Sequence, residues 1–253
     1  MTLSNKERIA AMLKSIETGD PGPIEVVNEA KYVQHNPQTQ EGSEGLAVLF
    51  KRLSKMNPRV NTVRSFQDGD FVFAHMEYDF SRRNVGFEVF RFEDGHAVEH
   101  WDNIQPRMGP NPTGRSMVDG VVEAGDPAHT ENNRSLVRDF VEDVLISRNL
   151  TRLSDYVMAD YAEHNPAMLD GTHALHATLA EERNGKPVVL YQKLHRALAD
   201  GDFVLTACEG YRNAIHTAFY DLFRVADGWI VEHWDTTEKI APRGEWKNDN
   251  GKF

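Results

Sequence analysis

The pentapeptide Val98-Glu99-His100-Trp101-Asp102 returns as Val231-Glu232-His233-Trp234-Asp235. On a β-strand, residues two apart share a face. His100 and Asp102 therefore point one way, as do His233 and Asp235, while Glu99, Trp101 and Asn103 point the other. On an enclosed face, desolvation lifts an aspartate toward the range of a working general base. The imidazole beside it can orient a substrate, hold a carbonyl oxygen or carry a proton. The alternative is a structural pair that ties the strand end to a loop.

A second hexapeptide is also doubled: Tyr32-Val33-Gln34-His35-Asn36-Pro37 and Tyr161-Ala162-Glu163-His164-Asn165-Pro166. The proline pushes Asn36 out of the helical region, so the motif reads as a helix-to-loop turn. Tyr32, His35 and Asn36, with Tyr161, His164 and Asn165, are hydrogen-bonding groups for a substrate carbonyl at a pocket mouth, or else local turn chemistry. His75 aligns with Ala207 and His216 with Arg83. Each either lines a cavity or is an ordinary residue of a solvated sheet face. Glu88 and Asp221 are equivalent acids, read as a second carboxylate of the site or as a salt bridge to a helix. No metal-ligand spacing, glycine-rich phosphate loop, nucleophile elbow or cysteine–histidine pair stands out, so neither metal nor cofactor is expected.

These motifs recur in one order with offsets of 129 to 133 residues, and Asp68-Gly69-Asp70-Phe71-Val72 reappears between them as Asp200-Gly201-Asp202-Phe203-Val204. That is a duplicated domain. The expected division is residues 1–112, a Pro/Gly-rich linker at 113–129, and a second domain at 130–253 ending in a polar tail. Ser4 with Glu7 forms a capping box, and Ile9, Met12, Leu13 and Ile16 mark one helical face. A short helix follows Pro23, and Leu46, Leu49, Phe50 and Leu53 mark a third. The second half repeats the set at Leu136–Leu145, Leu150–Val157 and Ala174–Glu182. Strands are expected at Arg59–Phe66, Phe71–Phe80, Val85–Phe92 and Ala97–Ile104, and again at Val188–Leu198, Phe203–Tyr211, Ala214–Val225 and Trp229–Thr236. Asp-Gly pairs mark the hairpins between them. Helices followed by a hairpin-linked meander mean α+β with an antiparallel sheet.

A formal net charge of −11 over 253 residues argues against nucleic acid as a partner. The single cysteine, Cys208, cannot form an internal disulfide. The start Met1-Thr2-Leu3-Ser4-Asn5-Lys6 has no apolar h-region, and no apolar run reaches the ~20 residues of a spanning helix. A cytoplasmic protein acting on a small molecule, without nucleic acid or membrane, is the expectation.

The helices, the Tyr-x-x-His-Asn-Pro motif, the strand meander and the closing Val-Glu-His-Trp-Asp strand resemble the SnoaL-like, polyketide cyclase-like family of the nuclear transport factor 2-like superfamily. The resemblance covers both halves. It implies two tandem cone-shaped domains, each a curved antiparallel sheet wrapped around about three helices over an apolar pocket. It implies an internal pseudo-dimer, open to further self-association. It also implies cofactor-free aldol-type cyclase or isomerase chemistry, with Asp102 and Asp235 as acid/base and His100, His233, Asn36 and Asn165 holding the substrate. A non-catalytic binding or assembly module of the same fold is the alternative.

Overall fold

A computed structural model describes residues 3–28, 30–40 and 42–253. Met1 and Thr2, where the first domain was expected to begin, lie outside them. The chain divides into two compact units, one of residues 1–107 with 241–253, the other of residues 108–240.

In the first unit, helix α1 (Asn5–Lys14) starts at the expected capping box. The Glu7 amide donates to Ser4 Oγ, and the Ser4 amide donates to Glu7 Oε2 at 2.7 Å. Its apolar face buries Ile9, Met12 and Leu13. A 3₁₀ turn at Gly22–Val26 follows Pro21 and contains Pro23, and α2 (Gly42–Ser54) supplies Leu46 and Phe50 to the same core. Between them lies a two-residue strand, β1 (Val33–Gln34). The meander comprises β2 (Arg59–Asp68), β3 (Phe71–Asp79), β4 (Arg83–Glu93) and β5 (His96–Pro106). Sheet order is β1-β5-β4-β3-β2, with the meander antiparallel and β1 parallel to β5.

The second unit repeats this plan. Helix α3 (Thr130–Phe140) continues into a π-helical turn at Val141–Ile146, and a 3₁₀ segment spans Leu150–Asp155. Strand β6 (Val157–Glu163) and α4 (Thr172–Ala180) follow, then a small hairpin of β7 (Glu182–Arg183) and β8 (Lys186–Pro187). The long strands are β9 (Val189–Asp200), β10 (Phe203–Arg212), β11 (Ile215–Ala226) and β12 (Trp229–Lys239), in the order β6-β12-β11-β10-β9. Asp94-Gly95 and Asp227-Gly228 take positive φ at both positions, as the tight hairpins before β5 and β12 require. Register shifts at Arg91/Phe92 and Arg224/Val225 put an irregularity at the same place in both units. Such shifts bend a strand and increase its twist. Each unit is an α+β cone, its sheet curved around an apolar core.

Two expectations are corrected. The Tyr-x-x-His-Asn-Pro motif is not a helix-to-loop turn: its residues enter a strand that pairs in parallel with the closing strand, Gln34 opposite His100 and Glu163 opposite His233. The polar tail belongs to the first unit, not the second. Lys247 N donates to Pro37 O at 2.8 Å, Asn248 Nδ2 to Asn36 O and Thr39 O, and Asn250 Nδ2 to Gln34 O. The expected linker likewise packs within the second unit, where Thr113 Oγ1 and Arg115 Nε donate to the Asp170 carboxylate and Trp234 Nε1 donates to Asp119 O. The tail satisfies backbone carbonyls that burial would otherwise leave unpaired. Among the described residues no helix is long and apolar enough to cross a membrane.

Candidate functional site

Each unit holds a hollow between its sheet and its helices. That of the second unit has about 600 Å³ of empty space including its mouth, that of the first about 780 Å³. Strand alternation delivers one set of groups to each. In the second unit β11 supplies Asp221 and β12 supplies His233 and Asp235, with Asp221 directly opposite Asp235 across the ladder. In the first unit Glu88, His100 and Asp102 hold the same places, Glu88 opposite Asp102.

In the second unit His233 lies between two carboxylates. Its Nδ1 donates to Glu163 at 3.0 Å and its Nε2 to Asp221 Oδ1 at 3.2 Å. Burial alone would lower its pKa. The two adjacent negative charges outweigh burial and hold the ring protonated, well above the ordinary imidazole range. Tyr161 Oη donates to Glu163 Oε2 at 2.7 Å and Tyr191 Oη to Asp221 Oδ1 at 3.1 Å. Asn165 Nδ2 donates to Asp235 Oδ2 at 2.7 Å. Asp221 Oδ2 and Asp235 Oδ1 are buried with no hydrogen-bond partner among the described residues. Burial, followed by the fields of Glu163 and Asp221, pushes the Asp235 carboxyl up to about 6 against the opposing pull of His233.

The first unit keeps this frame and changes its charges. Gln34 replaces Glu163. Its Oε1 accepts from His100 Nδ1 and from the Asn36 amide, both at 2.9 Å. His100 Nε2 lies 2.6 Å from Glu88 Oε2, and Tyr78 Oη donates to Glu88 Oε1 at 2.5 Å. Burial pushes the Glu88 carboxyl up. The Tyr32 hydroxyl is buried without a partner among the described residues, because a carboxamide stands where Tyr161 finds a carboxylate. Asp102 is engaged on both oxygens. Asn36 Nδ2 donates to Oδ2 at 2.6 Å, and Lys252 Nζ, on the tail and 3% exposed, lies 3.4 Å from Oδ1.

Donor atoms of Glu88, His100 and Asp102 fall within 4.8 Å of one another, a grouping able in principle to hold a divalent cation. Sequence spacing gave no hint of it, because the donors come from two strands. Tyr78, Gln34, Asn36 and Lys252 already engage these groups, and the Lys252 ammonium opposes a second positive charge.

Other expected site residues lie elsewhere. His35 and His164 face away from the hollows, stacked on Trp101 and Trp234 at 4.6 and 4.7 Å. His35 Nε2 meets Glu99 and His164 Nε2 meets Glu232, while Nδ1 donates to Gly251 O and Ser116 O respectively. His75 is buried against Phe87, opposite it on the face turned from Glu88. His216 pairs with Glu209 at 2.7 Å, alongside His195, outside the hollow. The expectation that these four bind substrate is corrected: strand parity puts each on the wrong face. Sequence reasoning missed Gln34 and Glu163. Reading 32–36 and 161–165 as strand would have grouped Tyr, Gln or Glu, and Asn on one face at a period of two.

Residues 137–233 match the model of the SnoaL-like domain. Comparison with curated proteins finds no match. Among solved structures the chain is similar to TsrD from Streptomyces laurentii, with 20% identity over 41% of this chain and 92% of that one, TM-score 0.36. A proposed ketosteroid isomerase from Kribbella flavida shows 19% identity over 45% and 83%, TM-score 0.39. IdmH, a proposed polyketide cyclase from Streptomyces antibioticus, shows 18% identity over 39% and 90%, TM-score 0.35.

Proposed function

Taking the second unit as a SnoaL-like domain, we propose that it is a cofactor-independent acid–base catalyst acting on a small, largely apolar carbonyl compound. Asp235 Oδ1 takes a proton from the carbon α to the carbonyl. The enolate then attacks a second carbonyl of the same molecule, whose alkoxide takes the proton back from Asp235, or is reprotonated by Asp235 at another carbon. Asn165 fixes the carboxylate through Oδ2, leaving Oδ1 for the substrate. His233 is held cationic by Glu163, and burial keeps the hydroxyls of Tyr161 and Tyr191 protonated. All three line the hollow; each already donates to Glu163 or Asp221, so donating to a developing oxyanion means exchanging that bond for the substrate.

The observation that carries this reading is the unpartnered, buried Oδ1 of Asp235 on the wall of an apolar hollow, with a carboxyl pKa of about 6. A base poised near the working pH is the efficient one. The test is deuterium uptake from D₂O at the α-carbon of 1,3-dicarbonyl probes, read above the buffer rate. Asp235→Asn should remove the protein-dependent exchange. Undiminished exchange in that variant would reject the assignment.

The non-catalytic reading is favoured for the first unit by a specific feature. Lys252 and Asn36 engage both oxygens of Asp102, so this hollow is fitted to hold a ligand rather than to deprotonate it.

A further inference from the structure

Arg212 closes β10 beside the hairpin turn to β11 and lines the hollow of the second unit. It is half-buried. Of the other half-buried arginines, Arg91, Arg107, Arg134 and Arg224 end on the carboxylates of Glu99, Glu77, Glu131 and Glu232, and Arg8 and Arg148 on backbone carbonyls. Among the described residues no hydrogen bond or ion pair engages the Arg212 guanidinium. Its recorded influence is a field reaching Asp235. The sequence repeat puts Phe80 at this place in the first unit, where it lines the other hollow. The duplication has thus put a cation where its twin has an aromatic ring.

The two ends of this hollow have opposite polarity. Glu163, Asp221 and Asp235 gather around a single imidazole, and Asp221 and Asp235 each keep an oxygen without a donor. An anionic ligand group placed there would meet like charge in a low-dielectric site. Arg212 pairs with Ile215, six residues along β11 from Asp221; Phe219 lies between those levels on the face of Asp221, and Leu179 and Val189 also line the hollow. A free guanidinium offers a planar fork of donors that matches a carboxylate with two parallel hydrogen bonds.

We infer that Arg212 is a specificity-determining residue that anchors a carboxylate on the ligand, so that the compound taken by the second unit is a carboxylated, otherwise apolar carbonyl compound. The acid end sits at the guanidinium, the apolar body along the wall, and the neutral carbonyl end at Asp235. This rests on the hollow being the ligand site, and not on proton abstraction occurring there.

A matched pair of probes, 4-acetylbenzoate and its methyl ester, tests it by calorimetric titration of the full chain. The wild type should bind the carboxylate at least tenfold tighter than the ester, as a charge-assisted bidentate contact gives. Arg212→Gln should erase that preference, and Arg212→Lys should retain part of it, with thermal melting confirming that both variants are folded. Asp235→Asn should keep the preference even where exchange is lost, which separates this inference from the catalytic one. Equal binding of the two probes by the wild type, failure of both to bind, or an unchanged preference in Arg212→Gln overturns the inference.

Discussion

Asp102 and Asp235 occupy equivalent positions on the closing strands, each accepting an asparagine amide, at 2.6 and 2.7 Å. Beyond that contact their surroundings diverge. Asp102 has a lysine ammonium on its second oxygen, and a carboxamide, Gln34, faces its histidine. Asp235 has no partner on its second oxygen among the described residues, and a carboxylate, Glu163, faces its histidine. The backbone and the motif are shared, so around the second carboxylate oxygen and the histidine the contrast comes from two changes. A cation is present in one unit and missing from that place in the other, and an amide is exchanged for an acid. A duplicated fold can in this way keep one geometry and carry two electrostatic states.

The largest effect expected from breaking this contrast is on proton exchange. Asp235→Asn should lower the protein-dependent rate by at least 10²-fold, the usual size of a general-base contribution, while Asp102→Asn should leave it within about twofold by the same criterion. Equal losses in the two variants would erase the distinction. Next in size, adding Lys252→Met to Asp235→Asn takes the ammonium from Asp102 and makes the first unit resemble the second. Exchange should recover about tenfold over Asp235→Asn alone, with a stability loss of roughly 1–3 kcal/mol for a buried group left unpaired. If no rate returns, Lys252 is not what distinguishes the units.

The pH dependence sharpens the contrast further. The rate should rise with pH through an apparent midpoint near 6, as the Asp235 carboxyl ionises. Stability should move the opposite way. The carboxyl is raised from 3.8 in the unfolded chain to about 6 in the folded one, so its stabilising contribution is complete below 3.8 and lost as pH rises through 6. Asp235→Asn removes that loss and should stabilise the protein above pH 6 by up to about 3 kcal/mol, read from chemical denaturation. A smaller effect is expected from Glu163→Gln, which gives the second unit the first unit's carboxamide. The His233 pKa should fall in an NMR titration, because one of its two counter-charges is gone. Smallest of all, His216→Ala, outside the hollow, should leave exchange within about twofold, like most substitutions away from a site.

Much of this was legible in the residues themselves. The doubled motifs fixed the number of domains, and a period of two put His100 with Asp102 and His233 with Asp235 on one face. The equivalence of Glu88 and Asp221 left two readings open, a second acid in each hollow or a salt bridge to a helix. What escaped has physical causes. Gln34 and Glu163 were hidden because each ends a strand, two residues long at β1 and seven at β6, whose parallel partner lies far along the chain, so the motif looks like a turn. Tyr78 and Tyr191 reach equivalent acids from non-equivalent strands, β3 and β9, so no repeat register reveals them. Lys252 belongs to a polar, aperiodic segment whose placement depends on Asn248 and Asn250 side chains meeting backbone carbonyls. Such contacts leave no hydrophobic pattern to read.

The pairing of residues 241–253 with residues 1–107 also bears on how the chain is made. Synthesis runs from residue 1 onward, and domains generally form as they emerge. The second unit, continuous from 108 to 240, has all its residues before translation reaches Asn248, Asn250 and Lys252. The half that leaves the ribosome first is therefore the half completed last, and until then Asp102 waits for its lysine.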